Sequence, residues 1–139
     1  MCSDDARTGL ERIDRDGCLA LLADEVVGRV AVVDGRTPVI FPVNYLLDGE
    51  DVVFRTDPGT KLDAASRSPA CFEIDGIDRQ ARTGWSVVVT GRLEEVTHYD
   101  ARRWVHVHGL AVDPWAGGDK QHWMRLVPGT ITGRRIGSP

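Results

Sequence analysis

Three apolar, β-branched runs follow one another along the chain: VVGRVAVVD, PVIFPVNYLLD and DVVFRTD, divided by Asp34-Gly35 and Asp48-Gly49. Asp-Gly between alternating hydrophobic runs is a strong short-range hairpin signal, and a parallel crossover would need a dozen residues or more in place of each turn. The three runs therefore read as an antiparallel meander. PACFEIDGID reads as a fourth strand. GWSVVVTGRLEEV, in which Val87 and Val89 alternate with Val88 and Thr90, reads as a fifth that closes the sheet, and HWMRLVPGTITGRRI supplies one or two more. Helical segments are few and short. DRDGCLALLADE suits an amphipathic helix capped by Asp14 or Asp16, GTKLDAASR a helix of two or three turns, and HYDARRWVHVHG a third, with LAVDPWAGGDK a loop. The fold class is mainly β: about six antiparallel strands in a small barrel with a few short helices at its edges. A parallel α/β sheet does not fit, because its strands would alternate with longer helices. Residues 1–9 lack periodicity and read as a flexible N-terminal tail, and 10–139 as a single domain.

Composition narrows the function classes. Of 139 residues, 42% are hydrophobic and 27% charged, as in a globular protein, and no apolar run approaches the roughly 20 residues of a membrane helix. The polar, acidic start MCSDDARTGLERIDRDG is unlike a secretory signal, so a cytoplasmic location with no membrane association is expected. Cys2, Cys18 and Cys71 are odd in number and widely spaced, which points to neither a disulfide framework nor a zinc site. A net charge of −4 without a basic cluster argues against nucleic acid as a partner.

The stretch FRTDPGTKL carries Lys61, one of only two lysines in a chain with fifteen arginines. A lysine just after Gly59-Thr60, where a strand gives way to a helix, suits an anion such as phosphate: the amides of a first helical turn and the ammonium would face the same point. A turn with a solvated lysine satisfies the same letters. A nucleotide-triphosphatase loop is excluded, since Phe54 stands where its first glycine is needed, Thr60 separates Gly59 from Lys61, and Leu62 replaces the metal-binding hydroxyl. His98, His106, His108 and His122 follow no metal-ligand spacing and read as surface or cap residues, so no metal site is expected. Ser86 in Gly84-Trp85-Ser86-Val87 lacks the second glycine of a nucleophile elbow. Of the four tryptophans, Trp85 opens a strand and Trp115 lies in a Pro-Trp loop, where an aromatic ring can wall a flat ligand; Trp104 and Trp123 read as core or interface residues.

In order, the words GRVAVVDG, PVIFPVNY, VVFRTDPGTKLDAA, FEIDGID, GWSVVVTGRLEEV and PWAGGDKQHW resemble the pyridoxamine 5'-phosphate oxidase-like proteins over roughly residues 12–136. These are FMN-binding split β-barrels, and the chain is most similar to short actinobacterial members related to nitroimidazole-resistance reductases. The resemblance implies that Arg55, Thr56, Thr60, Lys61 and Leu62 occupy the segment that holds the cofactor phosphate. Lys61 stands at the first cation of that segment and Leu62 at the second, with Arg55 in place of a tyrosine. It implies further that Pro42, Val43 and Asn44 run along the flavin ring, and that Ser86 stands where the oxidases place a glutamine that contacts the cofactor. The oxidases continue into an Arg-x-His segment that grips pyridoxamine phosphate, whereas this chain reads Arg134-Arg135-Ile136-Gly137-Ser138-Pro139, so oxidation of that substrate is not expected.

What the resemblance implies is an FMN-dependent oxidoreductase acting on a small-molecule substrate. It would be a homodimer, with the cofactor at the subunit interface and Trp85 and Trp115 helping to wall it. The ring carries the hydride, so no indispensable catalytic side chain is expected. A deazaflavin-dependent reductase, and a non-enzymatic flavin- or haem-binding sensor or carrier, are the alternatives on the same barrel.

Overall fold

A computed structural model describes residues 8–118 and 120–137. Its elements run β1 (Leu10–Ile13), α1 (Arg15–Asp24), β2 (Val27–Asp34), β3 (Thr37–Asp48), β4 (Asp51–Thr56), α2 (Lys61–Ala64), β5 (Pro69–Asp78), β6 (Thr83–Val96), α3 (Ala101–His108) and β7 (His122–Ile136). All strand pairings are antiparallel. The order β1-β7-β4-β3-β2-β5-β6, with β6 also paired to β7, closes six strands into a ring and leaves β1 attached to the end of β7. This is a mainly β barrel, as the alternation of the runs requires.

Both hairpin turns of the meander put glycine at the first loop position, Gly35 and Gly49 each at φ +64, left-handed backbone that glycine adopts without steric cost. The closing strand β6 bends at a register shift between Thr90 and Gly91. A Cβ on Gly91 would lie 2.0 Å from the Val127 carbonyl oxygen, so only glycine lets β6 and β7 approach there.

Inside the ring pack Val30, Phe54, Phe72, Ile74, Val87, Leu93, Met124 and Leu126, all fully buried. Each contributes about 1.5–3 kcal/mol relative to exposure. α1 plugs one side through Cys18 and Leu22, and its Asp14 cap accepts from the Gly17 amide at 2.8 Å. The Tyr45 hydroxyl donates to the Leu22 carbonyl at 2.6 Å; burial raises that phenol above its ordinary value, with Glu25 and Asp24 adding to the shift. A second cluster, Val53, Val96, Val107, Val112 and Trp123, lies outside the ring, where α3 covers β4 and β7.

Three expectations change, and part of a fourth falls outside the described residues. Seven strands form instead of about six, the extra one being β1, and the last run is one strand of 15 residues. Residues 1–7 of the expected tail lie outside the described residues, while β1 begins at Leu10. α2 is one turn, not two or three. After it the Arg67 amide donates to Leu93 O and the Leu93 amide to Ser68 O, so the chain is drawn onto β6 before a second turn can form. Closure needs both β6 and β7, because β6 alone has no partner among the meander strands. Among the described residues no helix is long and apolar enough to cross a membrane.

Candidate functional site

β4 pairs with β3 only from Tyr45 opposite Phe54 to Asp48 opposite Asp51. Beyond that point β4 diverges, and Thr37–Asn44 keeps β2 as its partner, so its other edge opens onto a gap. The barrel is split there. A cavity of about 230 Å³ occupies the gap, lined by Phe41–Asn44 of β3, Arg55 and Thr56 of β4, Asp57, Thr60 and Leu62 around α2, and Pro114, Ala116 and Lys120 of the loop before β7. Pro42, Val43, Asn44, Arg55, Thr56, Thr60 and Leu62, expected from the sequence, thus meet in one place.

The cavity is held by polar side chains. Asp57 accepts from the Lys120 amide at 2.7 Å and from the Lys120 ammonium at 2.6 Å, holding a non-glycine residue at φ +46. Arg55 Nε donates to the Lys120 carbonyl at 3.0 Å, and its guanidinium lies 5.1 Å from the Trp123 ring centroid. Asn44 Oδ1 accepts from the Trp115 amide at 2.8 Å, which docks the loop on β3. On the α2 side Thr56 and Thr60 share a hydroxyl hydrogen bond of 2.9 Å.

Lys61 is not brought to this cavity. It is exposed and pairs with Asp34 at 3.1 Å, and the loop amides expected to face an anion are engaged otherwise: Thr60 Oγ1 accepts from the Asp63 amide and Asp63 Oδ2 from the Gly59 amide. The lysine in the lining is Lys120, 20% exposed at the side chain against 56% for Lys61. Sequence reading passed over Lys120; the one signal available was that it is the chain's other lysine, in the word PWAGGDKQHW. Trp115 is 74% exposed and reaches the site through its backbone only. Trp85 borders a different hollow, with Glu25, Gly76 and Arg135, and Ser86 sits in β6 between Asp75 and Arg134. Within one chain neither joins the split.

Two further features adjoin the site. Asp63, Glu95 and His122, far apart in sequence, bring a ring nitrogen and two carboxylate oxygens within 4.8 Å of one another. His122 Nδ1 lies 2.5 Å from Asp63 and 3.2 Å from Glu95, tying α2 to β6 and β7. Burial pushes the Asp63 carboxyl up, but the hydrogen bonds from His122 and the Gly59 amide, with the His122 charge, outweigh it and hold the group below its ordinary value. On the other side of Arg55 lies a larger cavity of about 720 Å³ beneath α3.

A family model described as pyridoxamine 5'-phosphate oxidase matches residues 14–135. An uncharacterised protein of Mycobacterium tuberculosis is 36% identical over 130 residues, covering 89% of this chain and 84% of that protein. Among solved structures, a FAD binding protein from Mycobacterium smegmatis is 33% identical, with a TM-score of 0.80 and coverage of 92% of this chain and 99% of that one. A conserved protein of unknown function from Corynebacterium diphtheriae is 30% identical with a TM-score of 0.76, covering 93% and 99%.

Proposed function

The chain belongs to the pyridoxamine 5'-phosphate oxidase family, and from that premise we propose that it is a flavin-dependent oxidoreductase that binds FMN in the split between β3 and β4 and acts on a small molecule as a homodimer. The observation that carries the reading is the free edge of Phe41–Asn44 set beside Arg55, Lys120 and Thr56. A flavin needs backbone donors and acceptors along a flat ring and a charged anchor for its phosphate, and those two kinds of group adjoin here. Such a ring would supply hydride transfer when bound.

This chain's residues would hold and orient it. Arg55 and Lys120 offer cations to the phosphate, Thr56 a hydroxyl, and Pro42–Asn44 the strand edge. Lys61 stands between two lining residues, and its exposed pair with Asp34, worth about 0–1 kcal/mol, is weak enough to be exchanged for a phosphate.

At about 230 Å³ the cavity is smaller than the roughly 300–1,000 Å³ usual for ligand sites, so a second copy would complete it. Support comes from the outer face of β2, β3 and β5, where Ala31, Val33, Ile40 and Cys71 form an apolar surface that leads along β3 to Pro42. Trp85 and Ser86 would reach a flavin only from the partner copy, and Trp115 would wall it from the loop.

The visible spectrum of the purified protein tests the reading. Flavin bands support it, a Soret band would replace it with haem, and a protein that ignores FMN but takes up a deazaflavin would move it to that coenzyme. Lys120→Ala removes a cation and leaves Asp57 facing the anion, so FMN affinity should fall roughly 10- to 150-fold, with Lys61→Ala causing a smaller loss. Equal affinities in both variants and the parent would remove the phosphate from this cavity.

A further inference from the structure

FMN in the split would leave the larger cavity unexplained, although the two share a wall. Arg55 lines both, and it is fixed between them by its bonds to the Lys120 carbonyl at 3.0 Å and the Val112 carbonyl at 3.4 Å. The cavity of about 720 Å³ has the size of a complete ligand site. Its wall is a run of rings. His98 and Tyr99 lie 4.2 Å apart by centroid, His98 and Trp104 6.2 Å, Trp104 and His108 4.2 Å, and His108 and Trp123 5.3 Å. Tyr99 is 88% exposed in a molecule whose other Phe, Tyr and Trp side chains, Trp115 apart, are partly or fully buried. His98 covers little of that ring, which leaves it open to a stacking ligand. Thr97 and Gln121 add a hydroxyl and an amide, the kind of groups that read the edge of a base.

Stacking rings, a hydroxyl and an amide that can read a base edge, and one permanent cation at the shared wall describe a purine nucleotide better than an aliphatic or purely aromatic ligand. We propose that the cavity under α3 binds an adenine nucleotide, with the base against Tyr99 and Trp104 and its phosphate toward Arg55. This rests on the flavin reading of the neighbouring split. Two sources share that chemistry: the adenylate half of a flavin dinucleotide whose flavin half occupies the split, and the adenosine phosphate of a separate nucleotide donor.

Isothermal titration of the full chain with FMN, FAD and ADP tests it. FAD should bind at least about tenfold tighter than FMN, or ADP should bind the FMN-loaded protein. Trp104→Ala should cost FAD or ADP roughly 5- to 150-fold while FMN changes less than about twofold. Tyr99→Ala, at an exposed position where folding is not at issue, should act in the same direction. If FAD-loaded protein no longer takes up ADP, the flavin dinucleotide fills both cavities; if it still does, the nucleotide is a separate one. FAD no tighter than FMN, with no ADP binding to the free or FMN-loaded protein, overturns the inference. Binding of ADP but of neither flavin, lost in Tyr99→Ala, would overturn the flavin reading and leave the nucleotide cavity standing.

Discussion

The barrel wears two different coats. On the outer face of β4 and β7, Val53 and Trp123 are buried by α3 and the segment behind it. On the outer face of β2, β3 and β5 nothing among the described residues lies over Val33, 63% exposed, or Ile40, 66% exposed. Strand β3 belongs to both: Leu46 packs under the covered face, while Pro38 and Ile40 stand on the bare one. The split opens at Pro42–Asn44, between those two halves. The edge at Pro42–Asn44 is free because β4 leaves β3 beyond Tyr45, and this happens where the covered half, with Arg55 against Trp123, gives way to the bare one. The candidate site therefore sits at the border of the coat, and a second copy on the bare face would stand next to it.

The sharpest way to break this comparison is to charge the bare face. Ile40→Glu places a carboxylate on that surface, and a symmetric interface carries the change twice. Burying each unpaired charge costs at least about 1.5–3 kcal/mol, so self-association should weaken by roughly 100-fold or more, with thermal stability of the monomer little changed. Sedimentation at micromolar concentration reads it. A parent protein that is already monomeric there would mean that the bare face is simply tolerated apolar surface.

The covered face is broken at its ionic anchor. Arg125, 6% exposed, donates to Asp48 at 3.0 Å and to Asp51, and Asp48 in turn meets His106 of α3 at 2.9 Å. Arg125→Ala would leave two neighbouring carboxylates without their common partner and loosen α3. A loss of about 3 kcal/mol is expected in urea unfolding. A loss below about 1 kcal/mol would show that the Val107 and Trp123 packing alone holds the helix.

How far these two faces could be read from letters differs. The meander was legible because Asp34-Gly35 and Asp48-Gly49 act locally: the turn needs only its own φ. The ring was half legible, since β6 announces itself by alternation but its second partner lies some 40 residues away. β1 was not legible, because LERI is polar at two of four positions and becomes a strand only by pairing with Leu10 opposite Ile136. Seven of the proposed site residues converge because the strand and the loop that carry them are continuous words. Lys61 does not converge, because Asp34 from the first hairpin offers it a partner that no local pattern displays. Lys120 and the Asp63–Glu95–His122 group depend wholly on the return of β7 past α2, which spacing along the chain does not encode.

The smallest expected effect separates ionic from apolar contributions to the covered face. Burial raises the Asp48 carboxyl, but the hydrogen bonds from His106 and Arg125, with their charges, outweigh it and hold the group below its ordinary value. A depressed folded value means that the unfolded chain takes up the proton first as pH falls. The stabilisation is therefore complete above the unfolded aspartate value near 3.9 and is lost as pH drops through the lower folded one. In Asp48→Asn this contribution is absent at every pH. The parent should melt a few degrees above the variant at pH 6, by roughly 2–4 °C, and the gap should shrink toward pH 3. A gap that stays constant across that range would mean that Asp48 holds Arg125 and α3 by hydrogen-bond geometry alone, and the covered face would then owe its stability to Val53, Val107 and Trp123 rather than to charge.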